Sequence, residues 1–187
     1  MKILLLDNYD SFTYNLYQLA QAKKGASIDV LRNDDLNLDH VSKYDKIILS
    51  PGPGIPSEAG LMMELLARYK NQKDIFGVCL GMQAIAEAYG AELYNLENPL
   101  HGVSSIVEIS DSILFSGIPK QFEIGHYHSW AVLEKSIPLE IKVTAKDSNG
   151  VVMAIENKEQ NIFGVQFHPE SILTQYGQEI MLNFLGR

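Results

Sequence analysis

Four short runs of continuous apolar sequence constrain the fold of this chain more than any other feature. They are KILLLD at residues 2–7, KIILS at 46–50, IFGV at 75–78 and NIFGVQF at 161–167. A strand of a parallel sheet is covered on both faces and has a continuous apolar sequence, whereas a half-solvated strand alternates apolar and polar residues. The runs therefore predict a mostly parallel central sheet.

Helical spacing of apolar residues separates these runs in the first half of the chain. A first helix is predicted with Leu16 and Leu19 in its apolar stripe, Asp10 or Ser11 as its cap and Gly25 at its end. Three further helices are predicted at about 61–69, 82–89 and 175–185, and a further strand at 28–31. Strands alternating with helices predict a three-layer α/β fold, in which helices flank the sheet.

After residue 89 the pattern changes to short strands separated by turns. The predicted strands cover residues 91–94, 104–109, 121–125, 139–145 and 151–156. Asn149-Gly150 between two alternating runs is a strong signal for a β-hairpin. We interpret this half as a β-rich antiparallel extension of the sheet, so residues 1–187 are predicted to form a single domain.

Charge and composition exclude several classes of protein. The 187 residues carry 15 basic and 23 acidic side chains, for a formal charge of -8, and no basic stripe could neutralise a nucleic-acid backbone. We therefore predict no nucleic-acid partner and no binding to an anionic membrane. The start, MKILLLDNYD, is too weakly apolar for a signal peptide and no later run reaches spanning length, so a cytoplasmic protein is expected.

The only cysteine, Cys79, lies where the run at 75–78 meets a predicted helix. Gly77 and Gly81 flank it, which gives G-x-C-x-G, the cysteine counterpart of the serine nucleophile elbow. Free N–H groups at the helix N-terminus favour thiolate over thiol, and the N–H of Leu80 would be a ready oxyanion donor. A lone cysteine is otherwise most often a small buried apolar residue, so its function depends on finding a base.

A candidate base follows the last apolar run. The strand predicted at 161–167 leads into His168-Pro169-Glu170. Residues two apart in extended backbone point the same way, so the Glu170 carboxylate can lie against the His168 imidazole and orient it. Each residue alone is more often an ordinary satisfied side chain. Their placement at the end of a buried strand predicts a Cys79–His168–Glu170 triad.

A stiff loop, Pro51-Gly52-Pro53-Gly54, follows the strand predicted at 46–50. Ligands in open α/β sheets bind outside the carboxyl ends of the strands, and Cys79 lies at the end of the next strand. The loop and the cysteine could therefore face one cavity. The alternative is an ordinary rigid turn, because proline and glycine are common in loops generally.

The remaining histidines give weaker signals. His126 and His128 are two residues apart in a probable strand and could suggest a metal site, but no third ligand is evident. We therefore predict no metal site. His40 and His101 are interpreted as loop residues.

With these residues in place, the sequence resembles the class I glutamine amidotransferases, and most closely the small subunits of anthranilate synthase and aminodeoxychorismate synthase. The resemblance spans essentially the whole chain. It rests on DNYDSFTYNL at 7–16, SPGPG at 50–54, GVCLGMQ at 77–83, HG at 101–102, YHS at 127–129 and GVQFHPES at 164–171. It implies a flavodoxin-like amidotransferase fold.

The resemblance also implies roles for individual residues. Cys79 attacks the side-chain amide of glutamine, His168 protonates the departing ammonia with Glu170 as its orienter, and water then releases glutamate from the thioester. The backbone N–H groups of Gly52 and Leu80 form the oxyanion hole. The residues expected to bind glutamine are Gly52, Pro53, Gly54, Gln83, Ser129 and Trp130. No cofactor is expected in this subunit.

A partner chain is implied as well. Ammonia would pass to a separate chorismate-binding synthase subunit, because nothing in the 187 residues also resembles a chorismate site, and the region of Asp10 and Ser11 is expected near that interface. The choice between anthranilate and aminodeoxychorismate stays open. Four positions depart from the expected family pattern: Met82, Val103, His126 and Trp130.

Three other functions remain possible from the sequence. The same elbow could belong to a stand-alone cysteine hydrolase of γ-glutamyl or peptide bonds, or to a glutaminase that serves another synthase. A degenerate domain with a regulatory or interaction role is the non-enzymatic alternative. The intact Cys79, His168 and Glu170 argue against that alternative.

Overall fold

The computed structural model describes residues 1–186. It contains one mixed β-sheet, which lies between two layers of helices. The strands are β1 (Lys2–Asp7), β2 (Ser27–Arg32), β3 (Lys46–Leu49), β4 (Asp74–Val78), β5 (Leu93–Ile109), β6 (Gln121–Val132), β7 (Lys142–Asp147), β8 (Val152–Asn157) and β9 (Ile162–Val165). The helices are α1 (Thr13–Gln21), α2 (Met62–Tyr69), α3 (Leu80–Ala88) and α4 (Gly177–Leu185). The order of the strands is β2-β1-β3-β4-β9-β8-β7-β5-β6. No helix within residues 1–186 is both long enough and apolar enough to cross a membrane.

The first half of the sheet is parallel. Strands β2, β1, β3, β4 and β9 pair in parallel in that order. Along β1, Ile3 and Leu5 join one buried core with residues of α1 and α4, whereas Leu4 and Leu6 join the opposite core with residues of α2 and α3. This alternation explains why the parallel strands are apolar throughout, and it confirms the predicted three-layer α/β fold.

The second half of the sheet is antiparallel, as predicted. Strands β8, β7, β5 and β6 extend it beyond β9. The hairpin between β7 and β8 turns at Asn149-Gly150, where Gly150 has φ +77. The Asp147 carboxylate closes this turn by accepting the backbone N–H groups of Asn149 and Val151, each at 2.9 Å.

Strand β5 differs from the prediction. The sequence predicted separate strands at 91–94 and 104–109, whereas the structure has one strand, Leu93–Ile109, paired with β6. Pro99 and Gly102 lie between the two predicted segments, at two shifts of register, and Gly102 has φ +68 at the second. Such irregularities let a long strand bend without ending.

The predicted cap of α1 is wrong. Helix α1 begins at Thr13 after Phe12, and no side chain caps it. The Asp10 carboxylate instead accepts the backbone N–H of Phe12 at 2.8 Å, and the Asp7 carboxylate accepts the Thr13 hydroxyl at 2.8 Å. These bonds stabilise the turn that precedes the helix. Short acidic side chains favour such turns over a helix because they can bond to nearby backbone groups. Ser11 makes neither bond.

The carboxyl ends of four parallel strands lie at one edge of the sheet. Asn8 follows β1, Ser50 follows β3, Cys79 follows β4 and Gln166 follows β9. Backbone bonds tie neighbouring ends together, because Ser50 N donates to Leu6 O at 3.0 Å and Cys79 N donates to Val165 O at 2.8 Å. This edge is where open α/β sheets place their sites.

Packing around Gly77 generates a prediction for stability. A Cβ atom at Gly77 would lie 2.4 Å from the backbone of Gly81, so Gly77→Ala should lower the free energy of unfolding by about 3 kcal/mol. Gly150→Ala is the control, because a Cβ there meets no atom within 4 Å. Its cost should be about 1 kcal/mol, from the positive φ alone. Urea unfolding monitored by circular dichroism measures both, and equal losses would contradict the packing argument.

Candidate active site

Cys79 occupies a sharp turn between β4 and α3. Its backbone has φ 52 and ψ -104, a conformation that residues other than glycine rarely adopt. A Cβ at Gly81 would lie 2.5 Å from the carbonyl oxygen of Leu49, so only glycine fits where the new helix passes β3. Cys79 is 6% exposed and lies at the N-terminus of α3, as the G-x-C-x-G motif predicted.

The structure brings His168 and Glu170 together. Nδ1 of His168 lies 2.7 Å from Oε1 of Glu170, and both side chains are almost completely buried. Tyr127 and Phe12 pack edge-on against the imidazole, with ring centroids 4.8 Å and 5.6 Å away. The carboxylate and the two aromatic rings therefore fix the plane of the imidazole. Nε2 of His168 has no hydrogen-bond partner among the described residues.

The pKa of His168 reflects two opposing effects. Burial disfavours the charged imidazolium and is the largest single effect, but Cys79 and Glu170 together outweigh it and raise the pKa to about 10. The Cys79 side chain lies close enough to the imidazole to raise this pKa. At neutral pH the arrangement therefore favours the imidazolium form of His168.

Backbone bonds hold the segment that carries His168. His168 N donates to the carbonyl of Gly125 on β6 at 3.2 Å, and the Thr174 hydroxyl donates to the His168 carbonyl at 2.6 Å. Gly177, at the start of α4, packs directly against Pro169, and a Cβ there would overlap the Pro169 carbonyl oxygen at 1.8 Å. The base is therefore positioned by β6 and α4 as well as by β9.

The loop after β3 lies beside the cysteine. A Cβ on Gly52 would be 2.6 Å from Asn8 Cβ and 2.8 Å from Leu80 Cδ2, so the loop backbone packs against the first residue of α3. Asn8 anchors this loop, since its amide donates to the Ser50 carbonyl at 2.8 Å and its backbone N–H donates to the Ser50 hydroxyl at 2.9 Å. The N–H of Leu80, in the first turn of α3, has no acceptor within the helix.

The structure places the other predicted glutamine-binding residues in two different regions. Gln83 is buried beneath the cysteine, where its amide donates to the Trp130 carbonyl at 3.0 Å and to Gln166 Oε1 at 3.1 Å. Ser129 precedes Trp130 on β6 and is half-buried. Pro53 and Gly54 are exposed on the outer part of the loop.

Sequence reasoning missed three neighbours of Cys79 and His168. Gln166 donates its amide to Cys79 Sγ at 3.5 Å, and Tyr127 and Phe12 enclose His168. Gln166 had a usable signal, because it is a polar residue at the end of the apolar run NIFGVQF. Tyr127 and Phe12 had none, since aromatic residues are common in any core.

His126 and His128 contact each other, and they do not form a metal site with other described residues. Nδ1 of His126 lies 3.2 Å from Nε2 of His128. Within residues 1–186, no group of three histidine, cysteine or acidic side chains could hold a metal ion. His101 belongs to β5 and packs on Tyr127, so its interpretation as a loop residue is wrong.

Comparisons with known sequences match almost the whole chain. The sequence profile described as Glutamine amidotransferase class-I matches residues 4–187. Aminodeoxychorismate synthase component 2 of Escherichia coli is 41% identical over 187 residues, which cover 99% of this chain and 100% of that protein. Aminodeoxychorismate/anthranilate synthase component 2 of Bacillus subtilis is 40% identical over 185 residues, which cover 98% and 95%.

A comparison with solved structures agrees with the sequence comparisons. The crystal structure of a candidate GMP synthase subunit from Thermoplasma acidophilum has a TM-score of 0.88 and 25% identity, and it covers 100% of this chain and 92% of that one. The sequence motifs, the fold and the arrangement at the sheet edge thus point the same way. Because the family profile matches residues 4–187, this chain belongs to the class I glutamine amidotransferases.

Proposed function

We propose that this chain is the glutaminase subunit of an aminodeoxychorismate or anthranilate synthase. It hydrolyses L-glutamine to glutamate and passes the ammonia to a chorismate-binding subunit on a separate chain. The contact of His168 with Glu170 at 2.7 Å, beside the Cys79 that follows the neighbouring strand β4, carries the hydrolytic half of this proposal. The names of relatives that align along their whole length support the synthase half.

The first chemical step forms a thioester. The Cys79 thiolate attacks the side-chain carbonyl carbon of glutamine, and the N–H groups of Leu80 and Gly52 stabilise the oxyanion that develops. When the C–N bond breaks, the imidazolium of His168 gives its proton to the leaving nitrogen, which departs as ammonia. Because Glu170 and the thiolate raise the pKa of His168, this proton is available at neutral pH.

The second step hydrolyses the thioester. The now neutral His168 takes a proton from water as its oxygen attacks the acyl carbon, and the Cys79 thiolate leaves. Glutamate is released, and the thiolate–imidazolium pair is restored. The thiol, imidazole and backbone donors supply the nucleophile, the acid and base, and the anion stabilisation, so we propose that the subunit needs no cofactor.

Gln83, Ser129 and Trp130 would bind the α-amino and carboxylate groups of glutamine. They lie on α3 and β6 beside Cys79, and Gln83 is joined to the Trp130 carbonyl. The exposed Pro53 and Gly54 would contact glutamine only at the mouth of the site. This assignment orients the substrate with its amide toward the sulfur and its charged end toward β6.

Exposed apolar side chains near the site support a protein partner there. Ile172 lies two residues after Glu170 and is 99% exposed, and Tyr9 lies in the turn after β1 and is 51% exposed. Exposed apolar side chains are candidates for burial against a second protein where they belong to one patch. A partner docked on them would receive ammonia without loss to solvent.

Replacing the nucleophile separates the two half-reactions. In the complex with its synthase subunit, Cys79→Ala should abolish glutamine-dependent product and leave ammonia-dependent product unchanged, because only thioester formation requires the sulfur. Product formation with each nitrogen source in the same preparation measures both. Residual glutamine-dependent turnover would show that Cys79 is not the nucleophile, and full turnover of γ-glutamyl peptides without any partner would favour a stand-alone hydrolase.

Neutralising Glu170 should change the pH dependence of the glutaminase reaction. Glu170→Gln removes the carboxylate that helps to raise the pKa of His168, so the imidazolium is lost at lower pH and the alkaline limb of kcat moves to lower pH. The value of kcat at neutral pH should fall by about 100-fold. Glu179→Gln on α4 is the control, because that carboxylate is exposed. An unshifted alkaline limb would contradict the role of Glu170.

A further inference from the structure

A row of hydrogen bonds runs along β6 from its neighbour β5 toward the cysteine. The half-buried Ser105 places its hydroxyl oxygen 2.7 Å from Nε2 of His126. Nδ1 of His126 lies 3.2 Å from Nε2 of His128, and Nδ1 of His128 lies 2.8 Å from the Trp130 carbonyl oxygen. The two imidazoles thus connect strand β5 to the backbone of β6 near the site.

The row continues to the nucleophile. The Trp130 carbonyl also accepts the amide of Gln83 at 3.0 Å, and the same amide donates to Gln166 Oε1 at 3.1 Å. Gln166 in turn donates to Cys79 Sγ at 3.5 Å. Every bond from Ser105 to the sulfur is therefore present in the structure.

The acceptors fix the proton positions along the row. The Trp130 carbonyl can only accept, so Nδ1 of His128 carries a proton. In a neutral His128, Nε2 must then accept, which requires a proton on Nδ1 of His126. Nε2 of His126 is left as an acceptor, and the Ser105 hydroxyl donates to it. Two neutral imidazoles satisfy every polar atom in one arrangement.

Burial keeps both imidazoles neutral. His126 is 0% exposed and His128 is 5% exposed, and burial lowers the pKa of His126 and lowers that of His128 to about 4. Two charged groups on other elements also affect the pKa values of this pair. Asp147 on β7 raises both pKa values, and His168 lowers them further. The proton arrangement of the row is therefore maintained at neutral pH.

We infer that His126 is a positioning residue for the glutamine pocket, where it orients His128 and through it the Trp130 carbonyl and the Gln83 amide. This inference rests on the proposed function, because it assigns Gln83 and Trp130 to the substrate. His126 does not touch glutamine or Cys79. Its effect is on substrate binding, whereas the contact between Cys79 and His168 does not depend on it.

The composition of β6 argues for this role over simple filling of the core. Phe122 and Ile124 precede His126 at the same two-residue spacing, and both are buried and apolar. Another apolar residue at position 126 would continue that apolar face, and it would avoid the free-energy cost of burying an imidazole. A fully bonded polar network in a core restricts its side chains to one geometry.

The test compares two reagents that modify Cys79. A diazoketone analogue of L-glutamine must first bind in the pocket, whereas iodoacetamide reports the reactivity of the thiol alone. In His126→Phe, the analogue concentration for half-maximal labelling should rise about 10-fold, because His128 loses its buried donor. The rate with iodoacetamide should not change. An unchanged analogue concentration, or a parallel loss with both reagents, would overturn the inference.

Two serine variants test the row without a change in the core. Ser105→Ala removes the first donor and should weaken binding of the analogue, by less than His126→Phe does. Ser104→Ala is the matched control, because its hydroxyl donates to Glu123 and not to the row. If both serine variants behave alike, the inference is overturned. Ser105→Ala also decides the matter if His126→Phe does not fold.

Nitrogen NMR of histidine-labelled protein provides a readout that is independent of glutamine. Both His126 and His128 should show neutral rings with the proton on Nδ1 at pH 7, and the signal of His126 should change in Ser105→Ala. A proton on Nε2 of His128 would overturn the inference. Failure of the analogue to label wild-type Cys79, even with the synthase subunit present, would instead count against the proposed function.

Discussion

The backbone conformation of Cys79 is the constraint on which the rest of the site depends. A non-glycine residue with φ 52 costs of order 1–3 kcal/mol, so surrounding contacts must hold it. They come from Gly77, whose missing side chain admits the backbone of Gly81, and from Gly81, which packs against the carbonyl of Leu49. The same close packing turns the sulfur out of the strand and places it at the first turn of α3. Without that turn, the cysteine would be one more buried apolar residue.

Sheet topology brings the base to this cysteine. Strands β4 and β9 are neighbours in parallel register, with Val78 opposite Val165, so the residues that follow each strand lie at one level. Cys79 and Gln166 follow directly, and His168 follows two residues later. The parallel register thus converts a long separation in sequence into contact. Strand β6 completes the site from the antiparallel half, because its Tyr127 packs on His168 and its Trp130 carbonyl meets Gln83.

The parts that could be predicted from the sequence are those set by local pattern. Apolar runs identified the parallel strands, and glycine spacing identified the turn at Cys79. The prediction of two strands in place of β5 was wrong because the pairing with β6, which carries the strand past Pro99 and Gly102, is a distant contact. Tyr127 was missed for the same reason, because its role arises from a neighbour on another strand, which spacing along one segment does not reveal. Gln166 did carry a local signal, as a polar residue at the end of an apolar run, but its bond to Cys79 comes from the neighbouring strand.

Three histidines lie close together at this site, and their surroundings give them different charges. His168 has a carboxylate at 2.7 Å and the Cys79 side chain, which raise its pKa to about 10 despite burial. His126 and His128 have only each other, a hydroxyl and a carbonyl as direct partners, so burial lowers their pKa values. The positive charge of His168 lowers them further. One imidazole is thereby suited to proton transfer and the other two to holding a fixed hydrogen-bond direction, a division that depends on the partners and not on the residue type.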